Sequence, residues 1–382
     1  MTDTSEALSI VVIGAGQAGL SVGYHLQRQG LRPGTDFLIV DAGPHAGGAW
    51  QHRWESLRFG DAHALADLPG MADAAVTFAG APSTVPASEV VSSRYGAYEQ
   101  HFGLRVRRPA NVRSVERAAG GALRVNFDDG TAVMARVVIG ATGTWRSPRQ
   151  PTTPGTEVFR GRQLTTPEFT SPAEFADLRV GVVGGGASAL GFVRELAPHA
   201  AHLTWFTRAP VRFLPVDSQP AKEFGRESVR LQDEAARAGR PLPSIVSTTG
   251  MPMTAHLRRM RDAGLLERTP MFTRLVTDGA VMADGTFTAL DAVLWALGFE
   301  ADLGPFEPLG MRARDGVAVE AGHVLAVPGV FLAGYGPQAS TISANRGARV
   351  IARDALRFLD DGQWPPVPPT PVRASGSGGA DD

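Results

Sequence analysis

The sequence predicts an α/β protein with two doubly wound units of mostly parallel sheet. Two observations carry that expectation. A strand, a glycine-rich turn and a helix occur at Ser9–Gln29 and recur at Arg179–Leu196, and short apolar runs of strand length alternate with helical stretches along the rest of the chain.

In the first copy Ile10–Ile13 is a continuous apolar run, the pattern of a strand covered on both faces. Gly14-Ala15-Gly16-Gln17-Ala18-Gly19 follows at once, and Leu20 to Gln29 reads as a helix stopped by Gly30. Further strand-like runs fall at Phe37–Val40, Ala135–Ile139, Val180–Val183, His202–Phe206, Ala292–Trp295 and Val330–Leu332. Leu123–Phe127 and Ala132–Val138 are expected to form a hairpin across Asp128-Asp129-Gly130, where Asp-Gly supplies the positive φ of a tight turn; it reads as a side sheet on the first unit. From Val216 to Asp284 the chain turns to polar helical stretches such as Glu227–Ala238, broken by Arg240-Pro241-Leu242-Pro243, which reads as an insertion in the second unit. The tail Pro365–Asp382, made of Pro, Gly, Ser and Asp, is expected to be disordered. The expected units are therefore 1–170, 171–296 with the insertion at about 216–284, and a return to the first unit over 297–364.

Composition removes several classes of function. With 37 Lys+Arg against 38 Asp+Glu there is no broad positive field to hold a nucleic acid. Cysteine is absent, so disulfides, thiolate metal sites, Cys nucleophiles and redox dithiols are excluded, and any electron carrier must be a bound cofactor. No apolar run of about 18 residues reads as a membrane span. Met1–Ser9 lacks the basic start and apolar stretch of a secretory signal, so a cytoplasmic location is expected. A homodimer is left open. The nine histidines form no ligand-spaced pair, so His52 and His63 read as polar or packing residues and no metal is expected.

The first glycine turn fits G-x-G-x-x-G between strand and helix, a Rossmann-like signature. Gly14 permits the tight turn, Gly16 lets the backbone approach a pyrophosphate, Gly19 lets helix and strand pack closely, and Gln17 opens the helix. Asp41 closes the next strand roughly 20 residues on, where a carboxylate accepts from a ribose diol. The second copy runs Gly184-Gly185-Gly186-Ala187-Ser188-Ala189, with Ala189 at the third small position. Its next strand ends in Thr207 and Arg208 rather than a carboxylate. A guanidinium there pairs with a 2′-phosphate that a carboxylate would repel, which favours NADPH, with NADH as the alternative.

Between and after these turns, Gly47-Gly48-Ala49-Trp50, Val138-Ile139-Gly140-Ala141-Thr142-Gly143 and Asp291-Ala292-Val293-Leu294-Trp295-Ala296-Leu297-Gly298-Phe299 resemble the GG-x-W, A-T-G and later D-x-x-x-x-A-T-G-(F/Y) elements of flavin-containing and related Baeyer–Villiger monooxygenases. The resemblance runs from Ile10 to about Leu359 and is nearest to small bacterial members. It implies a glutathione-reductase-like pair of domains, with FAD on the first turn and the nicotinamide cofactor on the second, inserted one. It places Gly48, Trp50, Val112, Ala141, Thr142, Gly143, Gly334 and Gln338 beside FAD, and Gly184, Gly186, Ser188, Ala189, Thr207 and Arg208 beside the nicotinamide cofactor.

The implied reaction consumes NADPH and O2, forms a C4a-(hydro)peroxyflavin and oxygenates a small sulfide, amine or ketone. The alternative is an NADPH-dependent flavin oxidase or electron-transfer reductase, and a third is a flavin-holding redox-responsive binding protein. Three departures from the family pattern bear on this choice. Phe159, Gly161 and Phe169 match its F-x-G-x-x-x-H fingerprint, but Thr165 stands in place of His. Pro337 stands where many relatives carry Asp, with Gln338 as a substitute contact. Gly60 and Asp61 occupy the neighbourhood of a family Asn, and Asp61 and Thr165 are the side-chain candidates for a catalytic part.

Overall fold

The computed structural model describes residues 8–62, 65–216, 218–243 and 250–362. His63 and the expected tail lie outside the described residues.

The first unit begins with β1 (Leu8–Ile13), α1 (Gln17–Arg28), β2 (Phe37–Val40), α2 (Ala87–Phe102), β3 (Val112–Arg117), β4 (Leu123–Phe127) and β5 (Ala132–Gly140). The second contains β6 (Arg162–Thr165), β7 (Arg179–Val183), α3 (Ala187–Leu196), β8 (His202–Thr207), β9 (Phe213–Pro215), α4 (Gln219–Arg237), β10 (Met251–Met253), α5 (Ala255–Asp262), β11 (Arg268–Pro270), the short β12 (Arg274–Val276), β13 (Gly279–Val281) and β14 (Phe287–Ala289), and β15 (Ala292–Trp295). The chain then returns through β16 (Val319–Glu320), β17 (His323–Val324) and β18 (Val330–Leu332) to α6 (Thr341–Asp361).

The first sheet has the order β16-β17-β18-β5-β1-β2, with β1 parallel to both β2 and β5. Its central strand explains the unbroken apolar run. Ile10 and Val12 enter one core cluster beneath α1 and α6, while Val11 and Ile13 enter another on the opposite face. A strand covered on both faces needs apolar side chains at every position, and each such chain fully buried contributes about 1.5–3 kcal/mol. The second sheet, β11-β8-β7-β15-β6, is parallel throughout.

Three sequence expectations are corrected. The hairpin of β4 and β5 exists, but it is not a separate side sheet: Ala132–Ala135 of β5 pairs antiparallel with β4, and from Ala135 onward the same strand runs parallel to β1. One long strand serves two neighbours because its nine residues outrun the hairpin. The second unit begins before residue 170, since β6 pairs in parallel with β15 in the second sheet. The stretch 216–284 is also not wholly an insertion. Within it β11 is the edge strand of the second sheet, while α4 packs back on the first unit, where Ala236 joins a cluster with Val319 and Tyr335.

Candidate functional site

The two glycine turns are equivalent hydrogen bond by hydrogen bond. Gly14 N–H donates to Val40 O at 2.7 Å and Ala141 N–H to Ile13 O at 2.7 Å; in the second unit Gly184 N–H donates to Phe206 O at 3.0 Å and Ala296 N–H to Val183 O at 2.8 Å. Each turn thus sits between the ends of its two neighbouring strands and leads directly into a helix.

A side chain is excluded at the tightest positions of these turns. Gly14 has φ +107°, and a Cβ there would stand 2.3 Å from Ala141 O; at Gly19 it would stand 1.8 Å from Gly14 O. Gly184 repeats this with φ +142° and 2.3 Å to Ala296 O. The GG-x-W turn, a 3-10 turn over Gly48–His52, packs directly on the first fingerprint: a Cβ on Gly48, at φ +53°, would lie 2.6 Å from Gly16 Cα. A backbone cradle this close to a helix N-terminus fits a diphosphate.

The first turn opens on a cavity of about 1060 Å³. The structure brings Gly14, Gly16, Gln17, Asp41, Gly48 and Trp50 to its wall, together with Val112, Ala141, Thr142 and Gly143, and Gly334 and Gln338 from the return segment. Gly19 is not on the wall; it packs under the turn. Several of these groups already have partners. Asp41, only 8 % exposed, accepts Ala15 N–H at 2.6 Å and Gly43 N–H at 2.8 Å, one on each oxygen, which leaves each oxygen able to accept again. Gln17 accepts from Tyr95 Oη at 2.5 Å and donates to Asn345 at 2.7 Å, which ties α1 to α2 and α6. Thr142 gives its hydroxyl proton to Asp302 O at 2.6 Å. Gln338 accepts from Gly334 N–H at 3.4 Å, so it braces the turn that Pro337 cannot.

Thr165, at the end of β6, brings the second unit to this same cavity. Its hydroxyl donates to Glu168 at 2.6 Å and its N–H to the same carboxylate oxygen at 2.7 Å, so the proton it holds is committed to a neighbouring carboxylate. Asp61 stands elsewhere. It does not line the cavity and is ion-paired with Arg194 on α3 at 3.1 Å. Of the second set, Gly184 and Gly186 lead into α3, Ser188 and the fully buried Ala189 lie in its first turn, Thr207 is buried at the end of β8, and Arg208 is exposed just beyond.

Four groups near the site were not legible as such. Glu195 on α3 is 8 % exposed and accepts the Trp54 indole N–H at 2.9 and 3.0 Å, the Ser56 hydroxyl, and Arg194 at 3.2 Å. This latch joins the loop after the GG-x-W turn to the helix after the second glycine turn. Arg53 lies among three indoles, its guanidinium carbon 4.0 Å from the Trp145 ring, 5.5 Å from Trp50 and 6.0 Å from Trp54, and burial pulls its pKa down to about 10. Asp302 lines the cavity; burial pushes its carboxyl up while Arg146 pulls it down. Arg268, on β11, is the fourth, with its guanidinium at Thr207. Only the density of Trp around Arg53 was visible in the sequence; the others depend on contacts between distant segments. Among the described residues no group of three or more His, Asp or Glu could hold a metal, and no helix is long and apolar enough to cross a membrane.

Two equivalent glycine turns, each between parallel strands and each fit for a diphosphate, define the class as two-dinucleotide oxidoreductases, and residues 11–220 match the family described as pyridine nucleotide-disulphide oxidoreductase. Within that class the chain belongs to the flavin-containing monooxygenases: a solved flavin-containing monooxygenase from Stenotrophomonas maltophilia is 33 % identical, with TM-score 0.75, over 92 % of this chain and 99 % of that one. It is thus a flavin-dependent oxidoreductase with FAD and a nicotinamide dinucleotide as cofactors, and with no Cys the disulphide chemistry of the wider family name is closed to it. An uncharacterized CzcO-like oxidoreductase of Geobacillus kaustophilus is 24 % identical over 93 % of this chain and 98 % of its own length. A ferredoxin–NADP reductase of a Nocardioides species is 25 % identical over 94 % and 97 %.

Proposed function

We propose that this protein is an NADPH-consuming monooxygenase that places one atom of O2 on a small organic substrate, a sulfide, amine or ketone. The observation that supports this reading is the cavity at the first glycine turn: its wall runs from Gly14 and Gly16 to Thr165 at the end of a strand of the second sheet, so both sheets contribute to it. When bound and reduced, FAD supplies the oxygen chemistry, and the protein's part is binding, orientation and exclusion of water.

The turn at Gly14–Gly19 would hold the FAD diphosphate and Asp41 its ribose. Trp50 and Trp145 give the cavity apolar walls, which shield the reacting centre from water. The turn at Gly184–Ala189 would hold the nicotinamide dinucleotide, with Arg208 toward a 2′-phosphate. Thr165, its hydroxyl donating to Glu168, lies with that carboxylate on the cavity wall, and the two are the polar pair best placed to orient a bound group there. A cytoplasmic setting, beside the NADPH supply, goes with this reading.

The test loads the protein with FAD and supplies NADPH, 18O2 and a panel of sulfides, amines and ketones. The expected result is one 18O atom in product per NADPH oxidised, with little hydrogen peroxide. Peroxide equal to NADPH, with no oxygenated product on any substrate, would refute it. The Nocardioides likeness favours a second reading, electron transfer to a protein partner. In that case NADPH oxidation would require an added ferredoxin-like acceptor and proceed without O2.

A further inference from the structure

The edge strand of the second sheet carries a cation aimed at the nucleotide end of its neighbour. β11 pairs in parallel with β8, Arg268 opposite Trp205, Thr269 opposite Phe206 and Pro270 opposite Thr207. From that position the Arg268 side chain runs along the strand toward its C-terminal end, where Nη1 donates to both the carbonyl and the hydroxyl oxygen of Thr207 at 3.4 Å. Thr207 is itself only 3 % exposed, and Arg208 follows it in solvent. Trp205, one strand pitch back, donates its indole N–H to Gly184 O at 2.7 Å, so this end of β8 is fastened to the second glycine turn. Among the described residues neither Arg208 nor Arg268 is in an ion pair with a carboxylate, whereas many of the chain's other arginines are.

We infer that Arg268 is a second anchor for the 2′-phosphate of the nicotinamide dinucleotide, acting with Arg208 on either side of the Thr207 hydroxyl, and that it contributes to the choice of NADPH over NADH. This rests on the reading of the second turn as the nicotinamide site. In a dinucleotide fold the adenosine ribose lies against the end of the second strand, and a phosphate dianion there is best met by more than one forked donor. The 3.4 Å contacts to Thr207 are long for charge-assisted bonds, so the guanidinium gives up little by turning toward a phosphate. Thr207 then orients it without consuming it.

The experiment uses the FAD-loaded protein and calorimetric titration with 2′,5′-ADP and with 5′-AMP, which differ by the phosphate in question. Wild type is expected to bind 2′,5′-ADP more tightly than 5′-AMP. Arg268→Gln should weaken 2′,5′-ADP by about 10-fold or more while leaving 5′-AMP within about 2-fold. Arg268→Lys, which keeps the charge but not the fork and guards against a folding artefact, should recover part of the loss. If Arg268→Gln changes neither ligand, or weakens both equally while Arg268→Lys does the same, Arg268 is only a strand-edge contact and the inference fails. A wild-type protein that binds neither ligand would instead overturn the assignment of the second turn, with this inference falling beside it.

Discussion

Loss of the latch between the two units is the most direct test of how the sites are held in register. Trp54→Phe keeps a ring against Phe169 and Phe192 but deletes the indole N–H that meets Glu195 at 2.9 and 3.0 Å. Glu195→Leu deletes the acceptor and leaves Trp54, Ser56 and Arg194 without it. A hydrogen bond to a charged group is worth about 1.5–3 kcal/mol, and stranding buried donors costs as much again. Trp54→Phe is therefore expected to cost about 2 kcal/mol and Glu195→Leu about 3 kcal/mol or more. The double variant should be less destabilised than the sum by about 1.5–3 kcal/mol, because the ring-packing loss and the Ser56 and Arg194 losses cancel in the cycle. Reversible urea unfolding of the four FAD-loaded proteins measures this. A coupling below about 0.5 kcal/mol would refute the claim that the bond holds α3 to the flavin-side loop, since that is the scatter expected of independent sites.

Two further outcomes are expected. Gly48→Ala puts a methyl 2.6 Å from Gly16 Cα at φ +53° and should cost FAD retention on gel filtration, whereas Gly103→Ala, at a similar φ of +58° with nothing within 4 Å, should keep the flavin; equal retention by both would mean the close approach at Gly48 is unimportant. His323, 2 % exposed, has its pKa pushed from 6.5 down to about 4 by burial, with Asp354 opposing. The unfolded chain therefore takes up the proton first, so stability is full above pH 6.5 and declines by about 3 kcal/mol as pH falls toward 4. In His323→Gln that part of the acid loss should vanish from urea midpoints taken at pH 7.5, 5.5 and 4.5; an unchanged slope would assign it to other groups.

What the sequence made legible were the features with a one-residue cause. Gly14, Gly48 and Gly184 stand where no Cβ fits, so the backbone requirement is written directly as glycine. Val180–Val183 and Ala292–Trp295 are found as expected because central parallel strands need apolar side chains on both faces. The two edge strands of the second sheet carry no such mark: Arg162-Gln163-Leu164-Thr165 and Arg268-Thr269-Pro270 contain no apolar run and are absent from the expected strands, which misplaced the start of the second unit and hid Arg268. Trp54 and Glu195 are 141 residues apart, and nothing in either neighbourhood announces the other. Asp41 was read toward a ribose, yet its first partners are the backbone N–H groups of the turns beside it, a local role that a spacing argument does not contain.

The course of α4 limits how this molecule could be recombined. Ala236 fills a place against Gly336, where a Cβ would come within 3.2 Å of it, and Arg237 pairs with Glu320, so a helix inserted between strands of one unit forms part of the wall of the other. A chimera that exchanged everything between β6 and β15 for the corresponding stretch of a relative would remove interior surface from the unit it meant to leave alone. Successful exchange would need a cut that leaves α4 with the first unit, in two pieces rather than one.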